Sequence, residues 1–320
     1  MDSKTAQARN AQDMEHCTPM SIRAELLAMT ARAAAALSPP PIASALIASP
    51  HPAPDKETEF GLVALADGCA GLYYAWLGTS QADMPARFRI ESLLGRPALE
   101  VAAYVLGEDD GARSVGIAAI NAVTEHVYRR AGFAPPAAAD AFGGLVLESN
   151  DRLGMIGNFV PLVRRARDRG IATRVLERKA EMVTSGPDDF EISLDPRILR
   201  GCNKIICTGA TLLNDSFDTM LAHCRAAEQV ALVGPTVGFF PDVAFARGVD
   251  IVAGTAYWTA RACKAVSAVA SNSATARCAR CCDAMRIRAS RPYSSVRFWS
   301  ASERPRKSEP VLSLRRCARP

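Results

Sequence analysis

Polar residues and glycines follow four apolar, strand-like runs in the second half of the chain. Their side chains and backbone are of the kinds that bind ligands or take part in catalysis. The four stretches are "GMIGNF" from Gly154, Glu177 after "RVL", "CTGATLLND" from Cys207 and "LVGPTVG" from Leu232. Hydroxyl, amide and carboxylate groups fix polar ligands, and glycine lets a ligand approach the backbone closely. The four stretches therefore predict a site for a small molecule or a metal ion.

The first stretch resembles a dinucleotide-binding turn, but its glycines are spaced G-x-x-G-x-F instead of G-x-G-x-x-G. Gly157 can adopt positive φ in a turn, Asn158 can cap a helix or offer an amide, and Pro161 suits a first helical turn. We interpret the stretch as a strand, a ligand loop and a helix start. A tight turn without a ligand is the alternative.

Glu177 closes the next strand, twenty residues after Gly157. An acid at this spacing commonly accepts hydrogen bonds from ribose hydroxyls. A solvated strand end, followed by Arg178 and Lys179, is the alternative interpretation.

The other two stretches combine small polar residues with turns. Thr208, Gly209 and Thr211 form a polar cluster at the end of an apolar strand, where we expect a ligand, and Asn214 can cap the following helix. The rigid turn Gly234–Thr236, which includes Pro235, would suit the wall of a preorganised pocket or serve only as a structural turn.

Other chemistry is poorly supported. The sequence has no G-x-S-x-G nucleophile motif and no phosphate loop, and its four histidines have no obvious catalytic setting. Of the ten cysteines, Cys207 lies on an apolar strand as a core residue would, and "CARCC" from Cys278 lacks a second C-x-x-C pair nearby. Catalytic residues and metal ligands are therefore not assigned.

The elements that position these loops alternate between apolar strands and amphipathic helices, which predicts an α/β domain with a parallel, Rossmann-like sheet over residues 145–266. Residues 55–140, with a hairpin signal at Asp67-Gly68, predict a small α+β domain. Before it, residues 1–54 hold a disordered segment, a helix over 20–37 and a proline-rich linker. Residues 267–320 are basic and aperiodic, typical of a disordered tail or of a reading-frame change.

Charge and hydropathy exclude several partners. The last 51 residues hold twelve of the 38 basic and three of the 33 acidic residues, so the remainder is mildly acidic with 26 against 30. This argues against nucleic acid as a partner. No apolar run is long enough for a membrane span, and the start does not resemble a signal peptide, so we expect a cytoplasmic protein with free thiols. The sequence leaves open whether it forms a homo-oligomer.

Five blocks, "SVGIAAINAV", "DRLGMIGNFVPLV", "VLER", "CTGATLLND" and "VGPTVGFFPDVAFARGVDIVAG", occur in an order that resembles the heavy-metal chelation family of uncharacterised bacterial and archaeal proteins. The resemblance covers about residues 59–266 and implies an enolase-N-terminus-like domain packed on a Rossmann-like domain, with a ligand cleft between them. The matching positions are Asn121, Asp151, Gly154, Gly157, Pro161, Glu177, Thr208, Gly209, Asn214, Gly234, Pro235 and Thr236.

The family name implies a transition or heavy metal, although these positions lack the thiolate and imidazole that soft metals prefer. Our first hypothesis is a binding protein that holds a metal ion, or a metal bound to a small molecule, in the cleft, with Asp151 and Glu177 as oxygen ligands. The alternative is an enzyme acting on a nucleotide-like or pterin-like molecule, with Glu177 on a ribose or an amide edge.

Overall fold

The structure is a computed structural model that describes residues 20–48, 60–75, 84, 87–135, 142, 144–186, 189–256 and 295–300. Its strands form two sheets, one of three strands and one of eight. We call residues 20–135 the small unit, and residues 142–256 with 295–300 the sheet unit.

The small unit packs helices against an antiparallel sheet of order β1-β2-β3. Its elements are α1 (Ile22–Ala35), β1 (Ile42–Leu46), β2 (Phe60–Leu65), β3 (Ala70–Tyr74), α2 (Ile90–Leu93), α3 (Ala98–Ala102) and α4 (Asp110–Arg130). Ser21 caps α1 by accepting a hydrogen bond from Ala24 N, and Asp109 caps α4 in the same way. The long helix α4 lies directly on β2 and β3, so its central turns are buried.

The sheet unit holds the parallel strands. Its elements are β4 (Arg152–Ile156), α5 (Val160–Asp168), β5 (Ala172–Leu176), β6 (Thr184–Ser185), β7 (Phe190–Ser193), β8 (Lys204–Thr208), α6 (Ala210–Leu213), α7 (Phe217–Ala222), β9 (Gln229–Val233), α8 (Asp242–Phe245), β10 (Ile251–Ala256) and β11 (Ser295–Ser300). The described strands are ordered β11-β10-β9-β8-β4-β5-β7-β6, and only the outermost strands, β11 and β6, run antiparallel to their neighbours.

Taken alone, the six parallel strands follow the order 3-2-1-4-5-6, in which the chain starts at the centre and reverses direction between β4 and β8. In such sheets the ligand crevice lies at the carboxyl ends of the strands, at this point of reversal. The predicted α/β class, a parallel sheet preceded by a small α+β unit, is confirmed.

Two buried cores lie on opposite faces of the parallel sheet. The larger core is continuous from the small unit into the sheet unit, so that Val123 of α4 belongs to the same cluster as Leu232 and Phe239. The other core lies under α5 and includes Met155 and Val163. The small unit therefore covers one face of the sheet, as a helical layer does in a doubly wound fold.

Several predicted boundaries differ from the structure. The proline-rich stretch predicted as a linker contains β1, which pairs with β2. Strand β7 lies in a polar segment whose pattern does not indicate a strand. The helix expected after Asn214 begins only at Phe217, because Asp215, with a positive φ of 61°, separates it from α6. The segment predicted as a structureless tail includes β11, while residues 257–294 and 301–320 lie outside the described residues.

None of the helices in the described part of the chain combines the length and the apolar character needed to cross a membrane.

Candidate functional site

Four neighbouring parallel strands end in the loops that the sequence predicts as ligand-binding. From β9 through β8 and β4 to β5, these loops follow one another along the carboxyl edge of the sheet. Six predicted residues directly at the strand ends are half-buried and so reach solvent; we call this set the sheet rim: Gly157, Asn158, Glu177, Thr208, Gly234 and Pro235.

Gly157 makes the turn at the end of β4 with a φ of +94°, in the region that favours glycine. Its N–H donates to the carbonyl of Leu176 at 2.9 Å. A Cβ at this position would lie 3.0 Å from the methyl carbon of Thr208, so the loops after β4 and β8 are in direct contact where the strand order reverses. The missing side chain keeps this contact tight.

The start of α5 offers few free N–H groups to an anion. Pro161 has none, and the N–H groups of Leu162 and Val163 both donate to the carbonyl of Phe159. The N–H of Asn158 donates to Glu177 Oε2 at 3.1 Å. A phosphate cradle needs such donors unpaired, so this loop is not built like a pyrophosphate-binding turn.

Glu177 lies at the end of β5 and closes the gap to the β4 loop. Its Oε2 accepts the N–H of Asn158, and its Oε1 accepts the N–H of Arg178 at 2.7 Å. A carboxylate has about four lone-pair positions, so these two bonds fix its orientation and leave acceptor capacity. The side chain of Asn158 reaches towards the sulfur of Met182 at 3.9 Å.

Asn121 and Thr236 are buried where the two units meet, and their hydrogen bonds are internal. Asn121 Nδ2 donates to the carbonyls of Leu72 and Thr236 at 3.0 and 2.8 Å, and its Oδ1 accepts the N–H of Gly238. Thr236 Oγ1 accepts the N–H of Tyr74, the last residue of β3, at 3.0 Å. These two predicted site residues join the small unit to the β9 loop.

The loop after β8 is also held by internal bonds. Thr208 Oγ1 accepts the N–H of Ala210, and buried Thr211 donates to the Thr208 carbonyl at 2.7 Å. Gly209 is buried against Val237, where a Cβ would lie 2.5 Å from a methyl carbon. Asn214 Oδ1 accepts hydrogen bonds from the N–H and hydroxyl of Ser216.

Two predicted residues lie away from the sheet rim. Gly154 is in the middle of β4, where a Cβ would lie 2.5 Å from Ile205, so it is a packing position. Asp151 precedes β4 and lies at the opposite edge of the sheet, about 17 Å away at 3.3 Å per residue across the five-residue strand. Asp151 and Glu177 are therefore too far apart to bind one ion, and the pairing in our first hypothesis is wrong.

Asp151 instead fixes the start of β4. It is buried, and its two carboxylate oxygens accept hydrogen bonds from Glu148 N and Asn203 Nδ2, both at 2.7 Å. Burial by itself raises the pKa of Asp151, but these bonds and the charge of Lys204 outweigh it and hold the pKa below its ordinary value.

The sheet rim does not fit a bare heavy-metal ion. Its donors are carboxylate, hydroxyl and amide groups, whereas soft metals prefer thiolate and imidazole. Those groups meet elsewhere: Asp67, Cys69 and His126 of the small unit form the one group of three metal-type side chains in the described ranges whose donor atoms all lie within 4.8 Å of one another.

This cluster is not evident from the sequence, because His126 lies 59 positions after Asp67 along the chain. The available sequence signals were Cys69 beside the predicted hairpin turn and His126 on a predicted helix. Neither residue belongs to a short metal-binding motif. Burial, together with the negative charge of Asp67, raises the pKa of the Cys69 thiol to about 12, so this thiol is a poor nucleophile at neutral pH.

The fold and the site define an α/β protein in which a small antiparallel unit meets the carboxyl-end loops of a six-stranded parallel sheet. The chain belongs to the family described as "Putative heavy-metal chelation": one model of that description matches residues 140–287 and a second matches residues 58–124. The predicted family resemblance is thereby confirmed.

The similar proteins have names that state no activity. An uncharacterized protein of Methanocaldococcus jannaschii is 30% identical over 148 residues, which are 45% of this chain and 54% of that protein. The chain thus spans about half the length of the curated relative it matches.

Two solved structures of the DUF364 family, both of unknown function, are also similar. The one from Desulfitobacterium hafniense has a TM-score of 0.54 at 18% identity and covers 86% of this chain and 98% of that one. The one from Pyrococcus horikoshii has a TM-score of 0.49 at 18% identity and covers 73% and 87%. At this identity the likeness concerns the fold alone.

Proposed function

We propose that the protein binds a small polar molecule, or a metal ion carried by such a molecule, at the sheet rim, in the cleft where the small unit meets the sheet unit. The observation that carries this proposal is the contact between Gly157 and Thr208 at the point where the strand order reverses. Ligands of open parallel sheets bind beyond this point.

The surroundings of this point support a cleft. On the β8 and β9 side the loops are buried under the small unit through Asn121 and Thr236. On the β4 and β5 side, Asn158 and Glu177 stay half-buried. A molecule between the two sides would meet a fixed carboxylate, a hydroxyl and an amide, which favours a ligand rich in hydroxyl or N–H donors.

The test combines identification of the ligand with variants of the sheet rim. Mass spectrometry of small molecules released from the purified protein identifies the ligand, and calorimetry measures its affinity. We expect Glu177→Gln and Thr208→Val to weaken binding at least tenfold, because each removes a polar group of the cleft. Glu191→Gln, on the neighbouring strand β7, is the control. Equal occupancy in all three variants would contradict the proposal.

An enzyme acting on a nucleotide-like or pterin-like molecule is the second candidate, and Glu177 at the end of the second parallel strand favours it. An acid at this place commonly binds a ribose diol. Because the N–H groups at the start of α5 are already paired, recognition would involve the nucleoside or the pterin ring more than a phosphate.

A thermal-shift panel separates this candidate from the first. We expect a nucleoside or pterin to stabilise the protein as much as its phosphorylated form does. A compound present at 100 times its Kd adds about 2.7 kcal/mol to the free energy of unfolding. Absence of any shift across the panel would exclude this class of ligand.

A further inference from the structure

Three different metal-type donors converge at the turn of the small unit's hairpin. Asp67 Oδ2 lies 2.7 Å from His126 Nδ1 and accepts a hydrogen bond from Cys69 Sγ at 3.3 Å. Asp67 and Cys69 flank the turn glycine between β2 and β3, and His126 lies on the buried side of α4. Metal–ligand bonds of about 2.0–2.3 Å allow donors this close together to bind one ion after small side-chain rotations.

The surroundings hold the donors in place. Asp67 Oδ1 accepts the N–H of Cys69 at 3.0 Å, which leaves Oδ2 facing the other two donors. The second ring nitrogen of His126, Nε2, lies 3.4 Å from the carbonyl of Leu37. Histidines that bind metals commonly donate their other N–H to such a carbonyl, which fixes the tautomer.

The charges of the three side chains and their position at the end of α4 also favour the binding of a cation. Asp67 and a Cys69 thiolate would together carry two negative charges, and the site lies in the last turns of a 21-residue helix, whose carboxyl end favours positive charge. Arg129 donates to the carbonyl of Asp67 at 3.0 Å and approaches Cys69 Sγ at 3.8 Å, which helps to stabilise a thiolate. Cys69 is 2% exposed, whereas the side chain of Asp67 is 30% exposed, so an ion has an entry on the Asp67 side.

We propose that Asp67, Cys69 and His126 form a binding site for a borderline-soft divalent cation of the zinc and cadmium type. A thiolate, an imidazole and a carboxylate together are the donor set that such ions take in proteins, and purely oxygen-preferring ions such as Mg²⁺ do not. On binding, Cys69 releases its thiol proton to water, and the proton of His126 resides on Nε2, facing Leu37. This site is independent of the sheet rim, so either proposal can fail alone.

The experiment is a titration of the reduced, metal-free full-length protein with Cd²⁺, followed by the thiolate-to-cadmium absorption band in the near ultraviolet. We expect one equivalent of Cd²⁺ to bind with the band of a single thiolate. Cys69→Ser should abolish the band, and His126→Gln should raise the Kd for Cd²⁺ at least tenfold. Mg²⁺ should not compete.

The chain holds other thiols, so matched controls are needed. Cys224→Ser and His223→Gln remove the same residue types from the turn that follows α7 in the sheet unit and should leave the band unchanged. A variant with Cys278, Cys281 and Cys282 all replaced by serine should keep the band as well. A band that survives in Cys69→Ser but disappears with the three serines would overturn the proposal.

A second measurement guards against misfolded variants. Cadmium-113 NMR of the unaltered protein distinguishes one sulfur with nitrogen and oxygen donors from several sulfurs. A signal of the mixed type, with far-UV circular dichroism unchanged on binding, supports the site. A signal typical of several thiolates, or no bound cadmium at all, contradicts it.

Discussion

Asn121 illustrates how one polar side chain can serve the fold rather than a ligand. The resemblance to the family includes it among the site residues, but its amide is buried and bonded to Leu72, Thr236 and Gly238. Two carbonyls and one N–H from both units therefore depend on it. A buried backbone group that loses its partner costs about 1–3 kcal/mol.

We predict that Asn121→Ala lowers the free energy of unfolding by about 2–4 kcal/mol, measured by urea denaturation. Asn158→Ala, at a half-buried position on the sheet rim, should change it by less than about 1 kcal/mol. Similar losses in the two variants would contradict a structural role that is special to Asn121.

Asp151 should make stability depend on pH. The folded state holds the pKa of Asp151 below its ordinary value. The ionised carboxylate therefore stabilises the fold above the unfolded pKa of about 3.9. This contribution is lost as the pH falls through the lower folded pKa. Two N–H donors face the two carboxylate oxygens. In Asp151→Asn one of these donors would face an NH₂ group.

Asp151→Asn should therefore cost about 1–3 kcal/mol at pH 7, and the difference from the unaltered protein should shrink as the pH falls below about 4. Urea midpoints measured from pH 7 to pH 3 check this. A difference that stays constant over that range would show that the ionised carboxylate contributes nothing of its own.

At the scale of elements, the contact between α4 and β3 depends on Gly71. A Cβ at Gly71 would lie 2.1 Å from the carbonyl oxygen of Ala118 and 2.5 Å from the N–H nitrogen of Ala122. Both neighbours are helix backbone, so neither can rotate away as a side chain would. The whole helix must shift to admit even one methyl group.

We predict that Gly71→Ala destabilises the protein by about 3 kcal/mol or more, as measured by thermal or urea unfolding. Gly95→Ala is the matched control: among the residues that the structure describes, no non-neighbouring atom lies within 4 Å of its Cβ position, so the positive φ of 77° is what opposes the change. That strain should cost about 1–2 kcal/mol. A larger loss at Gly95 than at Gly71 would contradict the close approach of helix and strand.

The elements best predicted from sequence are the parallel strands and the loops that end them. Continuous apolar runs such as "KIICT" mark strands buried on both faces, and their carboxyl ends meet by topology. Strands β1 and β7 were missed because prolines or polar residues surround them and their pairing is not local. Asp151 was misplaced because it is close to Gly157 in sequence, although a whole strand separates them in space.

The cluster of Asp67, Cys69 and His126 could not be predicted from the sequence either, because it also depends on contacts between distant parts of the chain. Whether Cys69 and His126 meet depends on how α4 packs across the hairpin, and periodicity does not encode that packing. Of the predicted site residues, the structure brings together those at strand ends and assigns buried, internal hydrogen bonds to Asn121, Thr211 and Thr236.

At the scale of the whole molecule, the two units share a core and are joined at its periphery by charged groups. Arg247, after α8, reaches Glu25 of α1 with two hydrogen bonds of 2.8 and 3.0 Å and also contacts Asp218. Because Arg and carboxylate meet through two parallel bonds, the pair orients α1 on the sheet unit as well as attracting it. The first helix of the small unit is thus held by an arginine that follows the last described helix of the sheet unit.

This ion pair should be measurable by a double-mutant cycle of Arg247→Met and Glu25→Gln. The hydrogen bond from Arg247 holds the pKa of Glu25 below its ordinary value, outweighing the effect of burial. The pair therefore stabilises the fold above the unfolded pKa of about 4.3. This contribution is lost as the pH falls through the lower folded pKa. Since the Glu25 side chain is 36% exposed, solvent screening limits the coupling energy to about 0.5–1 kcal/mol at pH 7. We expect this coupling to fall towards zero at pH 3 or in 1 M salt, whereas a coupling unaffected by both would mean that Arg247 holds α1 by packing and not by charge.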